Sequence, residues 1–211
     1  MERQKLSPEK PSILLEPWRD IPAHFVSVYH YTDKTALEPV SRQGLTHFVD
    51  RVSAEDMTAE EKTRMVFDGL CDSFAKKLGK EFERSKAVFA AVENDGTETW
   101  SHFGDIKLEI KIDPNTTFVY DRDLHTAASI AWHRTADGEH WIKERPEQQA
   151  AFDELQKQYP EDFNFYLEEY LKRSMTLAEY TALSPEEKHK GISKPEVALP
   201  SPVDPKFIRV A

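Results

Sequence analysis

The chain has 211 residues, 39% hydrophobic and 11% aromatic, enough for one packed domain and against global disorder. A formal net charge of −10 gives a surface that repels phosphate backbones and argues against broad nucleic-acid binding. The one cysteine, Cys71, excludes an intrachain disulfide and a cysteine-rich zinc site.

Residues 1–11 (MERQKLSPEKP) are charged, carry prolines and lack an apolar signal core, so they read as a loose tail ahead of a single domain over 12–211. No apolar run approaches the ~18 residues of a membrane span. A cytoplasmic protein is expected, and an effector exported without a cleaved signal would read the same way. Phe25 to Tyr31 alternates and is rich in β-formers, which predicts a strand. Asp33 is placed to cap a helix over Lys34 to Arg42, and Gly44 to stop it. Ser53 to Lys80 is the longest helical pattern; Val66, Leu70, Phe74 and Leu78 form its apolar stripe, and Cys71 is expected to pack inside.

Ser85 to Val92 (SKAVFAAV) predicts a buried strand, with a turn at Asn94-Asp95-Gly96. Asp105 to Ile112 alternates as a half-buried strand should, and Asp113-Pro114-Asn115 breaks it. Thr116 to Tyr120 is read as a strand and Leu124 to Trp132 as a helix. Residues 144–183 look helical, with Phe163, Tyr166, Leu167, Tyr170 and Leu171 on one side, and Ser184 to Lys194 reads as a polar connection. Glu196 to Leu199 and Phe207 to Val210 complete the strands. Strands and helices do not alternate regularly, so the fold class is α+β with a mostly antiparallel sheet and helical insertions at about 53–80 and 144–183.

The eight histidines show neither HExxH nor paired HxH spacing, and no metal site is expected from them. There is no GxGxxG, no GxxxxGK[ST] and no GxSxG elbow. The informative stretch is VYHYTDKTALEPVSRQGL, Val28 to Leu45, in which a strand ends in His30-Tyr31-Thr32 and a helix leads to Gly44-Leu45. Read singly, His30 is a structural histidine, Glu196 an exposed edge-strand charge and Phe89 core packing. Trp100-Ser101-His102-Phe103 and Trp132-His133-Arg134 read as loops, over a ligand or folded on the core.

Tyr29-His30-Tyr31-Thr32 followed by Leu37 and Gly44-Leu45 resembles the first motif of the ADP-ribosyltransferase-like superfamily, in its His-Tyr-Glu form. Pro195-Glu196-Val197-Ala198-Leu199 and the PVDPKFI that follows resemble the strand bearing that family's catalytic glutamate. Arg84 to Ala91 (RSKAVFAA) sits where the family has its aromatic strand. The resemblance implies a split antiparallel sheet and transfer of ADP-ribose from NAD, with nicotinamide released. The acceptor would be a protein, a nucleic acid or a small molecule. Glu196 would stabilise the oxocarbenium-like ribose, His30 would bind a ribose hydroxyl, Tyr31 would hold the nicotinamide amide through its main chain, and Thr32 would add a hydroxyl. Phe89 would stack on nicotinamide in place of the family's tyrosine, with Tyr120 as the alternative. Ser85 after Arg84 would fit a serine-type site, but the first motif carries histidine. Removal of an RNA 2′-phosphate, a catalytically inactive binding module on the same fold, and a metal-dependent hydrolase using scattered histidines are the other readings.

Overall fold

The computed structural model describes residues 18, 20–47, 55–81, 83–92, 104–135 and 149–211. The N-terminal tail, the turn at 94–96, the Trp100–Phe103 stretch, His140 and the start of the helical segment at 144–148 lie outside these residues. No described helix is long and apolar enough to cross a membrane.

Two antiparallel sheets form the frame. Strands β1 (Val26–Thr32), β3 (Ile106–Ile112) and β7 (Ile208–Val210) make the first, in the order β1-β3-β7. Strands β2 (Ala87–Ala90), β4 (Phe118–Asp121), β5 (Met175–Thr176) and β6 (Pro195–Pro200) make the second, in the order β2-β6-β4-β5. Alternation assigns each strand two faces. Val88, Ala90, Val119, Val197 and Leu199 meet Val28, Leu108, Ile110 and Ile208 of the first sheet in the main core. The opposite face of the second sheet carries Phe89, Tyr120, Glu196 and Ala198 and turns toward helices.

Those helices are α2 (Ala59–Lys77), α3 (Arg122–Trp132) and α5 (Phe163–Lys172). The smaller α1 (Leu37–Gln43), α4 (Gln149–Gln158), α6 (Leu177–Ala182) and α7 (Pro185–Gly191) complete the described set. The helix starts follow hydrogen-bond chemistry. Thr58 accepts from the Glu61 amide while Glu61 accepts from the Thr58 amide, and the same reciprocal box recurs at Thr176/Glu179 and Ser184/Glu187.

Three expectations are corrected. Asp33 makes no side-chain cap; a 3-10 turn over Lys34–Ala36 leads into α1. The 184–194 segment is a helix, α7, over most of its length. The buried stripe of α2 is one residue away from the expected one: Val66 is 51% and Leu78 40% exposed, whereas Phe67, Cys71 and Ala75 are buried, with Leu70 and Phe74 at the margin. A one-residue offset rotates a helix by about 100°. The small Cys71 and Ala75 lie in one cluster with Tyr166, Leu167, Tyr170 and Leu171 of α5, and the rotation also buries Asp68.

Candidate functional site: a cavity where the sheets part

Among the described residues the two sheets are joined by one bridge, Tyr29 to Ala91, with bonds of 2.9 and 2.7 Å. Beyond it β1 continues with β3 and β2 with β6, so the strands diverge. A cavity of about 570 Å³ opens there, within the size range of small-molecule sites. His30, Tyr31 and Thr32 line it from β1, Phe89 from β2 and Glu196 from β6. All five residues named from the sequence thus face one space, although 112 positions separate Arg84, which also lines it, from Glu196. Gly104 supports the Thr32 end: at φ +148° a Cβ there would lie 2.3 Å from the Thr32 carbonyl oxygen.

His30 Nδ1 lies 2.8 Å from the Phe89 carbonyl oxygen. A carbonyl only accepts, so Nδ1 carries the proton and Nε2 of the neutral ring is an acceptor. Glu196 is 3% exposed on an interior strand, which corrects its reading as an exposed edge charge. Arg84 Nη1 donates to Glu196 Oε1 at 2.7 Å and Tyr170 Oη donates to the same oxygen at 3.1 Å. Arg84 Nη1 also donates to the Tyr170 hydroxyl, and Arg84 Nε donates to Asp68 Oδ1 at 3.0 Å. One buried guanidinium is therefore shared by two carboxylates and a phenol. Burial pushes the Glu196 carboxyl up, but Arg84 and the hydrogen bonds outweigh it, and Glu196 titrates below its ordinary value. Burial likewise raises Asp68, yet His125 and the two arginines bring it down to about 2. Both acids are ionised at neutral pH.

The same guanidinium lies 4.1 Å from the Phe89 ring centroid, so one face of Phe89 is already covered by a cation. Tyr120 lies outside the cavity and stacks on Tyr170, centroids 5.0 Å apart. Ser85 donates to Asp72 and is held on the α2 side. Trp132 and His133 line the cavity from the end of α3 and its cap rather than from a loop, both nearly buried.

The opposite wall holds residues that sequence reading did not single out. His125 of α3 faces the cavity, with Nε2 3.8 Å from Asp68 Oδ1. Arg64 and Arg122 also line it, Arg64 with its side chain half exposed. Asp68, Cys71 and His125 bring one ligand atom each within 4.8 Å of one another, the ligand count of an open zinc site. The surroundings oppose a cation: burial pushes the Cys71 thiol far up, and Asp68 already holds the Arg84 guanidinium. Asp68 sits beside Phe67 and three residues before Cys71, so the correct α2 stripe exposes it to inference; Arg84 and Tyr170 have no local signal. Comparison of the chain with protein-family models, with curated proteins and with solved structures finds no match.

Proposed function

We propose that this cavity binds NAD and that the protein transfers ADP-ribose from it to an acceptor, releasing nicotinamide. The observation that carries the reading is the convergence of His30, Tyr31, Thr32, Phe89 and Glu196 on one cavity of about 570 Å³. Charge distribution supports it. The buried end holds Arg84 between ionised Asp68 and Glu196, one negative charge in excess when His125 is neutral, as burial favours. Arg64, which also reaches Asp68 Oδ2 at 3.7 Å, and Arg122 bring positive charge to the same cavity. NAD is polarised in the same sense: its pyridinium is cationic and its diphosphate anionic. The pyridinium meets the carboxylate end and the diphosphate the arginines.

Glu196 then faces the ribose as C1 gains positive charge. Its two described hydrogen bonds both fall on Oε1, which leaves Oε2 for the ligand. His30 Nε2 accepts a hydrogen bond from a ribose hydroxyl and positions the sugar. Arg84 covers one face of Phe89, so the cationic nicotinamide ring stacks on the other face.

The test is nicotinamide release from NAD alongside direct binding. Glu196→Gln keeps shape and removes a charge that the spread-out pyridinium feels weakly and the ribose, positive at C1 in the transition state, feels strongly. Turnover should fall by roughly a hundredfold or more, with affinity changed by less than about threefold. His30→Ala should weaken binding and rate together. Full turnover in Glu196→Gln would remove Glu196 from the chemistry. The second reading, a binding module without turnover, is favoured by phenylalanine at position 89 and by the tight Arg84–Glu196 pair. It predicts NAD binding with no nicotinamide released.

A further inference from the structure

ADP-ribosyl transfer needs an acceptor that loses a proton as it attacks. Most ionisable groups held against Glu196 or its partners cannot take that proton. Glu196 is held ionised by Arg84 and is a weak base. Tyr170 and Cys71 are pushed far up by burial and stay protonated. Arg84 and Arg64 are permanent cations. Asp68, near 2, is a weak base as well. His30 is on the opposite lip, with Nδ1 bound to a carbonyl.

His125 is different. It stands on the cavity wall with its side chain 17% exposed. Its Nε2 is buried, makes no hydrogen bond and points to Asp68 Oδ1 at 3.8 Å. The ring is held edge-on by Phe67 at 5.2 Å and against Tyr170 at 5.7 Å. Asp68 is itself fixed by Arg84. A carboxylate facing Nε2 selects the tautomer with the proton there, so Nδ1 is the acceptor. Burial and the nearby Arg84 lower the basicity of the ring, which keeps it neutral at pH 7 and able to receive a proton. A proton-transfer group works best when its titration lies near the working pH, and catalytic hydrogen bonds often tighten only once ligand is bound.

We infer that His125, oriented by Asp68, is the proton acceptor for the nucleophile that attacks the NAD ribose in this cavity. This rests on the reading under Proposed function. In the step, the acceptor oxygen loses its proton to His125 Nδ1 and forms a bond to ribose C1. The C1–nitrogen bond breaks, and its electron pair leaves with nicotinamide, which becomes neutral. The imidazolium then returns the proton to solvent. The acceptor is thereby of the hydroxyl class, with water as the minimal member.

The experiment compares two nucleophiles in the full-length protein: water, which must lose a proton, and azide, which has none to lose at pH 7. Nicotinamide release and NAD binding are measured for wild type, His125→Ala and the volume-conserving His125→Gln, with thermal unfolding as the check on folding. In both variants the water reaction should fall by about 10²–10⁴-fold and lose its rise with pH, while the azide reaction changes by less than about threefold. Wild-type water rates in the variants would overturn the inference, and so would an equal loss with both nucleophiles, which would make His125 structural. If the wild type binds NAD but reacts with neither nucleophile, or does not bind it, the reading under Proposed function fails and this one falls with it.

Discussion

Replacing Arg84 with methionine removes the one cation between Asp68 and Glu196 while keeping side-chain length. In the wild type, Arg84 Nε reaches Asp68 at 3.0 Å and Nη1 reaches Glu196 at 2.7 Å, with all three side chains under 5% exposed. Breaking a buried pair by deleting one partner costs about 3–5 kcal/mol, because the remaining charge stays buried without compensation. Here Glu196 is left with the Tyr170 hydroxyl and Asp68 with the half-exposed Arg64 at 3.7 Å, so a loss within that range is expected at pH 7. The pH dependence then inverts. In the wild type, Asp68 is depressed from an ordinary 3.8 to about 2, which contributes roughly 2 kcal/mol above pH 4 and is lost as pH falls toward 2. In the variant, burial and mutual repulsion raise both carboxyls above their unfolded values. That stabilises the fold at low pH and is lost as pH rises through the raised values. Urea denaturation at pH 7, 6 and 5, followed by circular dichroism and tryptophan fluorescence together, reads the effect. Arg84→Met should be destabilised most at pH 7 and recover part of the loss at pH 5. A loss below about 1 kcal/mol at pH 7, or one independent of pH, would refute the account of the charge cluster.

The corrected α2 face and the α1 turn give two more. Phe67→Ala should cost about 3–5 kcal/mol and Val66→Ala less than about 0.5 in the same denaturation assay, the reverse of what the larger stripe implies. Gly44 has φ +83°, and a Cβ there would lie 2.1 Å from the Val203 carbonyl oxygen. Gly44→Ala should therefore lower stability by at least about 1–3 kcal/mol; an unchanged midpoint would mean that the α1–Val203 junction yields freely.

Strands were legible where alternation was strong. VSVYHYT and IKLEIKI carry two-residue periods and pair with each other along their whole length. The sequence leaves the α2 stripe ambiguous, because two sets of apolar residues share one period and side-chain size alone favours the wrong one. The choice was made by α5, far along the chain, whose tyrosines and leucines need small partners. The starts of α2 and α7 were written in TAEE and SPEE, a signal stronger than the composition that suggested an earlier start and a connection. At the site, His30 and Glu196 were suggested by motif resemblance. Arg84, Asp68, Tyr170 and His125 were not, since they come together only when α2, α3, α5 and β6 pack; Tyr170 reads as one more residue of an apolar helix face, and Asp68 and His125 as polar residues of their helices.

The position of β6 has a consequence for biosynthesis. Among the described residues of the second sheet, β2 pairs with β6, and β4 joins β2 through it. While residues 195–200 are still inside the ribosome, β2 lacks its β6 partner and Arg84 lacks the Glu196 carboxylate. The nascent chain can form the β1–β3 pairing, the β4–β5 pairing and the helices, but it cannot join β2 to β4. The carboxylate that completes the cavity arrives on the same strand that joins the second sheet. Translation cut short before Pro195 leaves a chain without either, and its unpaired strand edges mark it for aggregation or proteolysis.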